Sequence, residues 1–285
     1  MYKLLEFFIL LLTIVTGGYS VKMEADVPKN DSDNVTVNVT AAEEAVKPVP
    51  GERSMENLLL TAKQPIGSTM YVWGGGWNEE DTGAGIEAVT IGVSPRWKEF
   101  AAQQDGSYNF KDTEYQIHDG LDCSGYVGWV IYNVFETTNG SSEEDGYVLK
   151  ATSMAETFAG LGWGTYQKAS DVTEWKPGDI MSMEGHVWIC LGMCEDGSVL
   201  LMHSSPPGVR ISGTYMADGR KSQAVELAEQ CMRENYPLWY ADYPECGVKN
   251  NYLTTAAQMR WNDTLSDEYG IQEMDAYEVV EFLFQ

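Results

Sequence analysis

The chain has 285 residues, and its 18 Lys and Arg against 43 Asp and Glu give a formal net charge of −25. Proteins that bind nucleic acid need an excess of basic residues to neutralise phosphates, so this charge argues against a nucleic-acid partner and against adsorption to anionic lipid. A hydrophobic fraction of 44% and an aromatic fraction of 12% exclude a disordered chain and predict a folded core.

The first 20 residues have the pattern of a secretory signal. Lys3 precedes an apolar run that ends at Val15, and Gly18-Tyr19-Ser20 offers a small-residue cleavage site. This run is too short for a comfortable transmembrane helix, and a core helix would rarely be followed at once by a polar tract. We expect a signal peptide or a retained N-terminal anchor over residues 1–20, and no other membrane contact.

Residues 21–51 form a polar tract without an aromatic residue or a regular apolar period. A segment of this composition cannot bury enough apolar surface to fold, so we expect a disordered acidic linker. The folded domain is expected over residues 52–285.

The first part of that domain is predicted to be a helix followed by a glycine turn. Apolar residues recur at helical spacing from Met55 to Ala62, and Pro65 ends the pattern. The turn Gly74-Gly75-Gly76 is not followed by a Lys-Ser or Lys-Thr pair, so a phosphate-binding loop is disfavoured. The better interpretation is a place where the backbone passes close to a neighbour or a ligand.

A buried helix is predicted to begin at Cys123. Asp122 is a good N-cap residue, and branched aliphatic side chains from Val127 to Val134 share one helical face. Unpaired N–H groups at a helix start favour negative charge, so we expect a lowered pKa and a reactive thiolate at Cys123. The alternative is an ordinary buried cysteine, which is the usual state of a lone Cys.

A second helix is predicted to begin with a capping box over residues 153–156. A β-hairpin that carries two histidines is predicted to follow it. The hairpin has a four-residue loop that starts at Met193. Counting outward from this loop places His186 directly opposite His203, on one face of the sheet. The alternative is that both are structural residues at strand ends, and a shift of one residue would separate them.

A thiol at a helix start and a histidine pair on a sheet are the components of nucleophilic acyl transfer. One imidazole takes the thiol proton, and a second group holds that imidazole in the required tautomer and orientation. The sequence supplies these components in a suitable order.

Five segments together resemble the NlpC/P60 cysteine peptidases, which are bacterial cell-wall hydrolases with a papain-like core. The segments are Tyr71-Val72-Trp73-Gly74-Gly75, Leu121-Asp122-Cys123-Ser124-Gly125, Pro177-Gly178-Asp179-Ile180, Gly185-His186-Val187 and His203. The resemblance implies an α+β fold in which the cysteine begins a helix packed on an antiparallel sheet. It also implies a bacterial protein that is secreted or held at the cell surface or cell wall.

The resemblance implies a role for each residue of the site. Cys123 would be the nucleophile, His186 the base and His203 the orienting residue, with no metal and no cofactor. Three further residues would line the site that receives the substrate: Tyr71, Asp122 and Ser124. The implied partners are peptidoglycan stem peptides, cut at the bond from γ-D-glutamate to diaminopimelate or lysine. The alternatives are an amidase or acyltransferase of the same fold, and an inactive surface binding module.

Two segments depart from the simple family pattern. Residues 77–120 form an insertion, with one short helix predicted to start at Pro95, and residues 206–285 form a C-terminal extension. The extension carries a predicted helix over residues 222–232 and a capping box over residues 275–278. We expect both segments to wall the substrate groove.

The other four cysteines have weaker interpretations. Cys231 and Cys246 are the candidates for a disulfide because they are close in sequence and an exported chain permits one. Cys190 is expected in the core. A zinc site built from Cys190, Cys194 and His203 is disfavoured because it lacks a fourth ligand.

Overall fold

The computed structural model of the protein describes residues 46–141 and 146–285. The expected signal peptide (1–20) and residues 21–45 of the expected linker lie outside the described residues. Lys47–Gln285 forms one compact unit, so residues 47–51 pack with the domain. Asn57 holds them there, because its side chain accepts the N–H of Val49 and donates to the Val49 carbonyl, at 2.7 and 2.8 Å.

The described residues form an α+β fold of eight helices and one seven-stranded mixed sheet. The helices are α1 (Met55–Lys63), α2 (Pro95–Ala101), α3 (Cys123–Phe135), α4 (Met154–Gly160), α5 (Gln223–Asn235), α6 (Pro237–Asp242), α7 (Asn251–Thr255) and α8 (Ala276–Phe284). The strands are β1 (Gly164–Gln167), β2 (Ile180–Met183), β3 (His186–Met193), β4 (Val199–Ser205), β5 (Gly208–Thr214), β6 (Gly247–Val248) and β7 (Ala257–Trp261).

The strand order is β1-β7-β2-β3-β4-β5-β6, and every neighbouring pair is antiparallel except β5 and β6. The expectation of a purely antiparallel sheet is therefore wrong at one edge. The reason is the connection between these two strands. The chain passes through α5 and α6 before it returns, and such a helical crossover permits a parallel pair.

Helix α3 is the central helix, and each of its residues is buried. It begins as predicted, because the Asp122 side chain accepts the N–H of Gly125 at 2.7 Å. It packs against α1 and against β3 and β4. On its other side the insertion covers it, since Trp97 of α2 lies edge-on to Trp129 with ring centroids 5.8 Å apart.

One of the two predicted capping boxes is wrong. Ser153 does not cap α4, because a 3-10 turn runs directly into the helix and leaves Ser153 in a helical conformation. The Ser182 hydroxyl of β2 accepts the Ala155 N–H at the start of α4 instead, at 2.9 Å. The predicted box that opens α8 is confirmed, with Asp275 and Glu278 each bonded to the other's backbone N–H.

The predicted register of the β3–β4 hairpin is wrong. Next to the loop Met193 lies opposite Val199, three residues from the prediction, and a bulge between Cys190 and Gly192 reduces the offset to two, so that Ile189 lies opposite Met202. Because strand side chains alternate between faces, an offset of two leaves the side chains beyond the bulge, including both histidines, on their predicted face. His186 is thus a diagonal neighbour of His203.

The C-terminal extension is built into the sheet. Its strand β7 lies between β1 and β2, and a buried ion pair holds it there. The Asp179 carboxylate at the start of β2 accepts Nη2 and Nε of Arg260 at 2.9 and 3.1 Å, and Nε2 of Gln258 at 2.8 Å. Burial raises the pKa of Asp179, and the Arg260 cation opposes that rise.

We predict that Arg260→Met lowers the free energy of unfolding by about 3 kcal/mol, because it leaves the Asp179 carboxylate buried without its cation. Urea unfolding measures this loss. The matched control is Arg220→Met, which breaks an exposed pair with Asp218 and should leave stability unchanged within error. Equal effects in the two variants would show that the buried pair does not hold β7.

Candidate active site

Strands β3 and β4 separate at the end that carries the histidines. Their registered pairs end at Ile189 and Met202. Beyond this point β4 stays paired with β5 as far as Ser205, and β3 stays paired with β2 as far as His186. The backbone groups of β3 and β4 that would have faced each other in this gap need other partners.

The segment at the start of α3 fills the gap. On the β4 side, the Ser204 hydroxyl donates to the Leu121 carbonyl at 2.6 Å. On the β3 side, Cys123 Sγ accepts the Val187 N–H and lies 3.9 Å from the Gly185 carbonyl oxygen. The thiol therefore lies against the backbone on both sides of the intervening histidine.

The glycine turn brings the start of α3 into this position. The Gly75 carbonyl accepts the Asp122 N–H at 2.9 Å. A Cβ atom at Gly125 would lie 2.0 Å from the Gly75 oxygen, and one at Gly76 would lie 2.5 Å from the Gly125 Cα. Only glycine permits this approach. The predicted close contact of the glycine turn is therefore confirmed, and the backbone that it approaches is the start of α3.

The two imidazoles form a hydrogen-bonded chain that ends on β5. His186 Nε2 lies 2.9 Å from His203 Nδ1, and His203 Nε2 lies 3.0 Å from the Ser212 hydroxyl. His203 is fully buried, and His186 is 9% exposed. His186 Nδ1 has no hydrogen-bond partner among the described residues, so it is available to a proton donor.

Both imidazoles are neutral near pH 7. Burial and then the charge of Arg210 lower the pKa of His186 to about 4. Burial, Arg210 and the neighbouring imidazole lower the pKa of His203 well below its ordinary value. Each ring therefore carries one proton, and protons on both Nε2 atoms satisfy both hydrogen bonds. That arrangement leaves His186 Nδ1 as a base.

Tyr252 of α7 is a neighbour of the thiol and of both imidazoles. Its ring centroid lies 5.3 Å from that of His186 and 6.3 Å from that of His203. Burial raises the pKa of Tyr252 to about 12, and the Cys123 thiol contributes to the rise. The phenol ring thus closes the site from the C-terminal extension.

The prediction of a lowered pKa at Cys123 is wrong. Burial and then the Asp122 carboxylate raise the pKa of this thiol to about 12, against the opposing hydrogen bonds from Val187, Ser124 and its own N–H. Desolvation of the thiolate outweighs the helix N-terminus. The resting pair is therefore a neutral thiol and a neutral imidazole.

Asp122 and Ser124 lie beside the thiol in a local network. Asp122 Oδ1 accepts the Gly125 N–H at 2.7 Å and the Ser124 hydroxyl at 2.8 Å, and burial raises the pKa of Asp122 to about 6. From the insertion, Trp77 Nε1 donates to the Ser124 oxygen at 3.0 Å. The structure thus brings both residues to the site and gives each of them structural hydrogen bonds.

Tyr71 reaches the same place from the segment before the glycine turn. Burial, Cys123 and Asp122 raise the pKa of its phenol well above the ordinary value. The insertion fixes this residue, because Phe110 lies edge-on to the Tyr71 ring at 5.5 Å and the Tyr108 hydroxyl donates to the Tyr71 carbonyl at 2.7 Å.

The structure thus gathers the six residues predicted for the site. Three further members were not predicted: Arg210, Ser212 and Tyr252. The first two lie on β5, where residues 209–212 alternate between apolar and polar side chains, a pattern that favours a strand. Tyr252 lies in a five-residue helix, which has too few residues for a periodic pattern.

All five cysteines are free thiols, including the disulfide candidates Cys231 and Cys246, and Cys190 lies in the core as predicted. Within residues 46–141 and 146–285, no three His, Cys, Asp or Glu side chains converge as metal ligands. None of the described helices combines the length and apolar character needed to cross a membrane.

Comparison of the chain with protein-family models, with curated proteins and with solved structures gives no match.

We predict slow alkylation of Cys123 in the folded protein, because the thiolate is scarce when the pKa is about 12. The rate with iodoacetamide should rise about tenfold for each pH unit between pH 7 and pH 9, as the thiolate fraction rises. Mass spectrometry of the labelled peptide measures this rate. A rate that reaches a plateau below pH 8 would mean that the thiolate is already present.

We also predict that burial of the neutral histidine pair destabilises the fold in acid. The unfolded chain takes up protons on both imidazoles below pH ~6.5, whereas folded His186 resists protonation down to about pH 4. Relative to the double variant His186→Gln/His203→Gln, the wild type should therefore lose stability as the pH falls through this window. Urea unfolding at several pH values tests this, and a constant difference would contradict it.

Proposed function

We propose that the protein is a cysteine hydrolase that cuts peptidoglycan stem peptides, with a papain-like core of the NlpC/P60 kind. The observation that carries the proposal is the position of the Cys123 thiol, 3.9 Å from the carbonyl oxygen of Gly185, which precedes His186, together with the hydrogen-bonded chain from His186 through His203 to Ser212. A thiol and a histidine with a free ring nitrogen, which two further groups hold in place, are the components that acyl transfer requires.

In the proposed mechanism, proton transfer accompanies attack. As Cys123 Sγ bonds to the substrate carbonyl carbon, His186 Nδ1 takes the thiol proton. The low pKa of His186 and the high pKa of Cys123 make a free ion pair costly, so this transfer occurs only when negative charge develops on the carbonyl oxygen. The imidazolium then gives its proton to the leaving amine, and a thioester remains.

The second half of the reaction reverses these roles. His186 Nδ1 takes a proton from a water molecule, whose oxygen attacks the thioester carbon. Collapse of this intermediate releases the acid, and the proton returns to the thiolate sulfur. Throughout, His203 Nδ1 accepts the Nε2–H of His186 and Ser212 accepts the Nε2–H of His203, which fixes the ring and leaves Nδ1 as the nitrogen that exchanges the proton.

The substrate side of the proposal rests on charge and shape. Tyr71, Asp122 and Ser124 would receive the amino end of a stem peptide, since Asp122 is the carboxylate beside the thiol. A cavity of about 320 Å³ lies between the insertion and the extension. Its lining includes Tyr108, Phe110, Pro206, Pro207, Tyr243 and Glu245. Because Phe110 also packs on Tyr71, this cavity would continue the groove, and the net charge of −25 favours a cationic end.

The direct test is mass spectrometry of muropeptides after incubation with the protein. We expect products of one cut, at the γ-D-glutamyl bond to the third residue, and none with Cys123→Ala. The matched control is Cys194→Ala, another buried thiol outside the site, which should retain turnover. Release of an amine other than a peptide would favour the amidase. The wild type and Cys194→Ala both keep the Cys123 thiol. If these proteins bind muropeptides without cutting them, the result would favour a binding module.

The catalytic set gives a graded prediction for kcat/KM. His186→Ala should lose about 10³-fold or more, since it removes the base. His203→Ala should lose most activity, while His203→Gln keeps a measurable part because an amide oxygen still accepts the His186 N–H. His186→Ala/His203→Ala should be little worse than His186→Ala alone. Additive losses in the double variant would show that the two rings do not act as one unit.

A further inference from the structure

Arg210 of β5 is a buried cation beside the histidine pair. It is the direct cross-strand partner of His203, so its side chain leaves the sheet on the face that carries both imidazoles. It is 6% exposed, and among the described residues no carboxylate forms an ion pair with it.

Among the described residues, only Nη1 of this guanidinium has hydrogen-bond partners. Nη1 donates to the carbonyl oxygens of Ser205 and Pro206 at 2.7 and 2.8 Å, which fixes the plane of the group. Nε is buried and has no hydrogen-bond partner in the part of the chain that the structure describes. The edge formed by Nε and Nη2 is therefore held in place without a partner of its own.

A buried guanidinium with an unpaired N–H edge and no ion pair is costly. A buried charge needs a counter-charge, and a buried N–H without an acceptor loses its hydration with nothing in return. The Nε–Nη2 edge presents two parallel N–H groups, which is the geometry that a carboxylate accepts with both oxygens. A carboxylate would supply both the missing acceptors and the missing counter-charge.

We propose that Arg210 is a specificity residue that binds a carboxylate of the substrate through its Nε–H and Nη2–H groups. This inference rests on the proposed function, and it defines the substrate as one with a carboxylate close to the scissile bond. A γ-glutamyl peptide has such a group, because its α-carboxylate remains free when the side chain forms the peptide bond.

Carboxylate binding would also act on the catalytic base. The Arg210 cation is one of the causes that lower the pKa of both histidines, so it disfavours the imidazolium that forms as the thiol attacks. A bound carboxylate cancels this charge and eases protonation of His186. A substrate with the carboxylate should therefore have a higher kcat as well as a lower KM. A purely structural role of Arg210 would not produce this difference between the two substrates.

The experiment compares two peptides that differ only in this group. One is L-Ala-γ-D-Glu-L-Lys, and the other carries a carboxamide in place of the α-carboxylate. We expect wild-type kcat/KM to favour the carboxylate peptide by about tenfold or more. Arg210→Gln should bring the ratio close to one, and Arg210→Lys, which keeps the charge without the paired N–H groups, should leave a reduced preference. The control is Arg220→Gln, because Arg220 is exposed and lies outside β5. This variant should keep the full ratio.

Calorimetric binding to Cys123→Ala separates this inference from the proposed function, because it needs no turnover. If the wild type cuts neither peptide, the hydrolase proposal fails. The ratio of the two affinities still tests whether Arg210 binds the carboxylate. Equal affinity for the two peptides, absence of binding by the carboxylate peptide, or a preference that survives Arg210→Gln would overturn the inference. If thermal melts show that Arg210→Gln is unfolded, Arg210→Lys carries the comparison.

Discussion

The separation of β3 from β4 is the constraint on which the site depends. Where the two strands diverge, the Val187 N–H has lost its place in the sheet ladder, and a buried donor without a partner costs about 1–3 kcal/mol. The Cys123 sulfur accepts that donor. The same hydrogen bond that satisfies the sheet therefore fixes the thiol against the backbone next to His186, so the position of the proposed nucleophile is a property of the fold.

Burial in this gap gives the site its chemical character. A thiol at a helix start in water would favour the thiolate, and an imidazole would titrate near pH 6.5. Inside the closed site, desolvation raises the pKa of Cys123 and lowers that of His186, and the Arg210 charge adds to the second effect. The thiol and the His186 imidazole are thus both uncharged near pH 7. Under the proposed function, the substrate would bring the negative charge that pairs with Arg210.

The sequence predicts the local features of this site better than the long-range ones. The Asp122 cap and the face shared by the histidines depend on residues close together in the chain, and both are confirmed. The predicted hairpin register is wrong because the pairing next to the loop lies three residues from the predicted one and a bulge then shifts the pairing back by one. The predicted thiol pKa is wrong because burial is a property of the whole fold. Tyr252 comes from a distant segment that packs against the site, which no local pattern indicates.

The most direct test of this account is the nitrogen chemical shifts of the imidazoles in histidine labelled with nitrogen-15, near pH 7. His118, whose side chain lies in the insertion and pairs with Glu87, serves as the internal reference. We predict that His186 and His203 are both neutral, with the proton on Nε2 and a bare Nδ1. A proton on His186 Nδ1, or an imidazolium at His186, would contradict the account, because the nitrogen that must take the thiol proton would already be occupied.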